Sequence, residues 1–100
     1  MCDGPAGREP LDTAAAKRRI GAILETGTIR FSGHALEELA KDDLTTVDCV
    51  NVLRGGVVQP PELERGTWRY RVLTNRICVV VAFRSDDELV VVTAWRIRPR

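Results

Sequence analysis

One hundred residues, 44% apolar and 29% charged, have the composition of one ordinary globular domain. Its longest apolar runs, such as Ile77 to Phe83, are too short to cross a bilayer, and three cysteines without a CxxC spacing argue against a disulfide framework or a zinc site. The net charge of +1 excludes a polycation but is unevenly spread: residues 1–53 hold six Lys/Arg against nine Asp/Glu (net −3), and residues 54–100 hold nine against five (net +4), so the C-terminal half is the one suited to phosphates.

The opening "MCDGPAGREP" is rich in Gly and Pro and has no basic start followed by an apolar stretch. Residues 1–10 are expected to be a disordered lead-in rather than a secretory signal, which points to the cytoplasm, and residues 11–100 a single domain. Cys2 is expected to be an exposed tail thiol, and Cys49 and Cys78 small core residues.

The spacing of Ala16, Ile20, Ile23 and Leu24 predicts a first helix, with Asp12 or Thr13 to cap its start and Gly27 to end it. Lys17, Arg18 and Arg19 fall on its polar side and are expected to be a solvated face. A second helix starts within "RFSGHALEEL". Ser32 is the expected N-cap, Phe31 and Leu36 hold the positions of a hydrophobic staple, and Leu36, Leu39 and Ala40 form the apolar stripe. His34 lies in the first turn, turned away from that stripe. A third helix follows in "LTTVDCVNVLRGG". Thr45 and Asp48 form a candidate capping box, and Gly55 or Gly56 is the stop.

After an extended piece, "VVQPPEL", three β-rich runs follow: "TWRYRVL", "ICVVVAFR" and "ELVVVTAWRIR". Thr74–Asn75 and residues 85–88 are the expected hairpin turns. Helices first and then an antiparallel meander give an α+β fold, with two to three N-terminal helices packed on one face of a three- to four-stranded antiparallel sheet. Pairing Leu73 with Arg76 and Ser85 with Glu88 assigns the faces. Trp68, Tyr70, Val72, Ile77, Val79, Val81, Phe83, Val90, Val92 and Ala94 form the face that the helices cover, with Arg96 on the same side. Arg69, Arg71, Arg76, Cys78, Val80, Arg84, Val91, Thr93 and Trp95 form the open one.

On that open face Arg69, Arg71 and Thr93 converge beside Trp95. Guanidinium groups bind phosphate oxygens in pairs, and an indole stacks on a base, which suits an RNA backbone with one unstacked nucleotide. An ordinary wet sheet face has a similar composition. The partial positive charge of a helix N-terminus favours a neutral imidazole at His34, able to accept a proton. No metal-ligand spacing, glycine-rich phosphate loop or Ser-His-Asp order is present, so neither a metal nor a cofactor is expected.

"FSGHALEEL", a short helix ending "VLRGG", then "YRVL", "ICVVVAF" and "LVVVTAWR" together resemble a small bacterial and archaeal domain-of-unknown-function family. That family is grouped with the RelE, ParE and MqsR-like toxins of toxin–antitoxin modules. The resemblance covers about residues 28–98. It implies a compact α+β toxin-type domain and a metal-independent endoribonuclease that cleaves mRNA, commonly at the ribosome. It also implies an antitoxin partner of zinc-finger or helix-turn-helix type. By position it implies roles for His34, Arg69, Arg71, Thr93 and Arg96. Taken together with the open face, the candidate catalytic residues are His34, Arg69, Arg71 and Thr93, and the candidate RNA contacts are Trp95, Arg84, Arg76 and Arg96. The alternative is a non-catalytic module whose Arg/Trp face docks an acidic partner protein.

Overall fold

The computed structural model describes residues 9–98. Three helices precede most of a six-stranded mixed sheet: α1 (Thr13–Thr26), β1 (Thr28–Phe31), α2 (Gly33–Lys41), α3 (Thr46–Gly55), β2 (Val57–Val58), β3 (Glu62–Glu64), β4 (Thr67–Leu73), β5 (Ile77–Ser85) and β6 (Glu88–Arg96). The strand order is β1-β6-β5-β4-β2, with β3 also paired to β4. The fold is therefore α+β as expected, but the sheet is larger than the three or four strands foreseen. It is also not purely antiparallel, because β1 runs parallel to β6. Among the described residues no helix is long and apolar enough to cross a membrane. Of the lead-in expected over residues 1–10, residues 1–8, with Cys2, lie outside the described residues.

Local chemistry sets the helix ends. Asp12 caps α1 by accepting from the Ala15 amide. At α3 the capping box is complete: the Asp48 amide donates to Thr45 Oγ1 (3.1 Å) and the Thr45 amide donates to Asp48 Oδ2 (2.9 Å). Ala16, Ile20 and Ile23 of α1 and Cys49, Val52 and Leu53 of α3 bury against Tyr70, Val72, Val79 and Val81 of the sheet. Two of the basic residues expected to face solvent do not. Lys17 Nζ donates to Gly56 O (2.6 Å) and Arg54 O (3.3 Å), capping the end of α3, and Arg19 lies over the Phe83 ring and pairs with Asp86. The stripe of α2 is Ala35 and Leu39, whereas Leu36 and Ala40 are exposed.

Two bulges correct the expected faces. Leu73 pairs with Cys78, so the β4–β5 loop residues are Asn75 and Arg76; this shift of two residues leaves the faces of β4 and β5 unchanged. The β5–β6 turn is as expected, with Ser85 opposite Glu88. Beyond it Arg84 is left without a partner, which moves the pairing by one residue, and Val92 on β6 moves it back. Between the two bulges, Leu89 and Val91 turn to the helices and are fully buried, and Val90 and Val92 leave the covered face. The expectation for these residues is thus reversed by two compensating irregularities. Cys49 and Cys78 are buried, as expected.

Tyr70 is the largest fully buried side chain, its ring 5.1 Å from that of Phe83. Its hydroxyl accepts from the Leu11 amide and donates to Glu9. Burial pushes the phenol up from 10.0 to about 12, opposed by the Leu11 amide and reinforced by Glu9, and burial with the nearby Asp48 pushes the Cys49 thiol up from 9.0 to about 11. Both folded values exceed the unfolded ones, so their contribution is complete below pH 9.0 and is lost as pH rises through about 11 and then about 12. Melting temperatures recorded from neutral to strongly alkaline pH should fall across that window, and less steeply for Tyr70→Phe. A flat profile up to the top of the window contradicts this account.

Candidate functional site

The open face of the sheet contains a cleft of about 310 Å³, at the small end of ligand pockets, which run to roughly 300–1,000 Å³. Val80 on β5 and Val92 and Thr93 on β6 line it, with Trp95 further along β6. Arg69 and Arg71 on β4 and Glu62 and Glu64 on β3 bring charge, and His34 joins them from the first turn of α2. All four candidate catalytic residues and Trp95 therefore line one cavity.

The strand irregularities build this grouping. A regular β6 would send Val92 and Thr93 to opposite faces; the bulge lets both line the cleft. On the other side, β2 pairs with β4 in the register Val57–Leu73 and β3 in the register Glu62–Arg69. The index sums are 130 and 131, so one extra residue lies between them, at Pro60 and Pro61 opposite Tyr70. Neither proline has an N–H to place in a ladder. Because of that extra residue, Glu62 and Glu64 share a face with Arg69 and Arg71. The hairpin between β3 and β4 turns on Arg65 and Gly66, both at positive φ (53° and 80°), as a two-residue loop requires.

His34 is placed by the first residues of α2. β1 pairs with β6 up to Phe31–Val91. The Ser32 amide then donates to Val91 O (3.1 Å), and its hydroxyl donates to Val92 O (3.1 Å) while accepting from the Ala35 amide (3.0 Å). One side chain thus caps α2 and fastens it to the bulge, and α2 continues beside β6 where β1 would have run. At its far end the Arg96 amide donates to Asp42 Oδ2 (2.7 Å). Ser32→Ala should lower the urea midpoint by an amount equivalent to about 1–2 kcal/mol, the upper range for a lost N-cap. A wild-type midpoint refutes the double role.

The charges in the cleft are mutually paired. Arg69 Nη1 lies 3.2 Å from Glu64 Oε1, and Arg71 Nη2 lies 3.5 Å from Glu62 Oε1. Arg69 Nε is shut off from solvent without a hydrogen-bond partner. Sequence reasoning missed both glutamates. The signal was present: in "ELERGTWRYR" two acids and two arginines, each at i, i+2, flank a Gly-containing turn.

The remaining candidates lie elsewhere. Arg96 donates from Nε to Asp42 O and from Nη2 to Asp43 O, and so braces the α2–α3 connection. Arg76 and Arg96 line a separate hollow with Asn75, Ile97 and Arg98. Arg84 is the exposed bulge residue beside the β5–β6 turn. These three do not join the cleft. Among the described residues no group of three or more His, Cys, Asp or Glu side chains is arranged to hold a metal ion.

The family model described as "Domain of unknown function (DUF4258)" matches residues 31–96, which include every residue of the cleft. Neither the curated proteins nor the solved structures compared with the chain gave a match.

Proposed function

The chain belongs to the DUF4258 family, and we propose that its cleft binds RNA and cleaves it without a metal ion, as a toxin-type domain of the RelE/MqsR kind whose partner is an antitoxin protein. The observation that carries this reading is the meeting of His34, Arg69, Arg71, Thr93 and Trp95 in one cleft from three separate elements, α2, β4 and β6. An exposed imidazole, two guanidinium groups, a hydroxyl and a partly buried indole answer the needs of transesterification in RNA.

In that reaction the ribose 2′-oxygen attacks the adjacent phosphorus. His34 takes the hydroxyl proton, the 2′-O–P bond forms, and the P–O5′ bond breaks. The leaving 5′-oxygen takes a proton from the imidazolium so formed or from water. The products are a 2′,3′-cyclic phosphate and a 5′-hydroxyl. Arg69 and Arg71 would offset the charge that builds on the phosphorane oxygens, Thr93 would donate to a phosphate or ribose oxygen, and Trp95 would carry a base.

The test is incubation with single-stranded RNA in excess chelator. Expected products are fragments ending in cyclic phosphate, and a strand with 2′-deoxyribose throughout should stay intact. The ion pairs of Arg69 and Arg71 with carboxylates also favour a second reading, in which the face docks an acidic segment of a partner protein. RNA left whole on ribosomes and off them, together with capture of an acidic partner that depends on Trp95 and Arg69, would select that reading.

A further inference from the structure

We propose, on the reading that the cleft takes a phosphodiester, that Glu62 and Glu64 stand in for phosphate in the free protein and are displaced when one enters. They make the site selective for a ligand that engages both arginines. Three observations support this. First, each glutamate meets its arginine through one terminal nitrogen, Nη1 of Arg69 and Nη2 of Arg71. A guanidinium can present two parallel donors, so neither fork is saturated, and a phosphate with several oxygens can use what a single contact leaves idle.

Second, Arg69 Nε is closed to solvent and has no partner. A desolvated donor without an acceptor is unfavourable, so the Glu64 contact at Nη1 leaves a guanidinium donor that an oxygen-rich ligand would satisfy. Third, the glutamate side chains are 61% and 68% exposed, and pairs this exposed are weak. Both carboxylates can turn to water with little loss. While in place they cancel the two positive charges, so a passing anion that cannot displace them gains little. The Pro60–Pro61 irregularity gives the device its geometry, because without it the glutamates face the other side of the sheet.

The test uses the full chain, with E62Q, E64Q and the double variant. The probe is inorganic pyrophosphate, titrated while the Nε–Hε resonances of Arg69 and Arg71 are followed by NMR. Glutamine keeps the side-chain size and removes the charge. The double variant should bind pyrophosphate about tenfold more tightly than wild type, as two weak pairs predict, with each single variant between them. Unchanged or weaker binding in the double variant overturns the proposal, as does a lowered melting temperature with no gain in affinity, which would mark the pairs as purely structural. RNA cleavage is scored separately. Tighter pyrophosphate binding with no RNA cleaved by any variant supports the displacement and removes the nuclease reading. Cleavage with unmoved pyrophosphate affinity does the reverse.

Discussion

Replacing His34 by alanine is expected to lower RNA cleavage about 100-fold or more, the loss typical of removing a general base, without unfolding the protein. His34 is the only histidine in the chain, and it lines the cleft from the first turn of α2. It is exposed, so its removal empties no core volume, and alanine is the residue best accepted within a helix. Arg71→Ala should fall by a comparable factor, because a cation facing a developing oxyanion is worth about 10²–10³ in rate. Melting temperatures of both variants should stay near that of wild type. Gel separation of the cleavage products measures the effect. Full cleavage by both folded variants would remove this cleft as the reaction site.

Gly27→Ala is expected to destabilise the fold by about 3 kcal/mol, at the upper end of the overpacking range. A Cβ at residue 27 would run into the carbonyl oxygen of Asp87 and lie 2.9 Å from Ile23 Cα. Both obstacles are backbone, so neither can swing away. The same carbonyl accepts from the Thr28 amide (2.8 Å), and the Gly27 amide donates to Ile23 O (2.8 Å). Any shift that relieves the clash breaks the junction at which α1 hands over to β1. For a domain of this size the melting temperature drops by roughly 4–8 °C per kcal/mol. Gly21→Ala is the matched control. It lies inside α1 with open space around its Cβ position, and should raise stability by about 0.5–1 kcal/mol. Equal melting of the two variants would contradict the close approach at Gly27.

Much of the fold follows from local pattern. The caps of α1 and α3 use side chains three residues from the amides they serve, and the faces of β4 and β5 follow from alternation that a two-residue register difference does not disturb. What escaped reading depends on contacts distant in the chain. β1 has four residues, and the polar–apolar alternation of Thr28, Ile29, Arg30 and Phe31 is too short to mark a strand alone; it is a strand because Thr28 lies opposite Glu88, sixty positions later. Val92 is a bulge because Leu89 and Val91 are buried only when the pairing slips by one residue, and no stretch of β6 alone states that preference.

The candidate site divides along the same line. Sequence alone determined which chemical groups are available and put Arg69 with Arg71 and Thr93 with Trp95, since side chains two apart in a strand share a side. The two pairs share one face because the two bulges of the β5–β6 ladder compensate each other. It could not determine that His34 joins them. That depends on the parallel pairing of β1 with β6 and on Ser32, whose hydroxyl fastens α2 to the Val92 carbonyl. Nor could it show that Glu62 and Glu64 close on the two arginines, because a single residue added at Pro60–Pro61 decides which face they occupy. A helix or strand follows from interactions a few residues apart. A cleft follows from registers, and a register is settled only when the whole sheet and the helices on it are packed together.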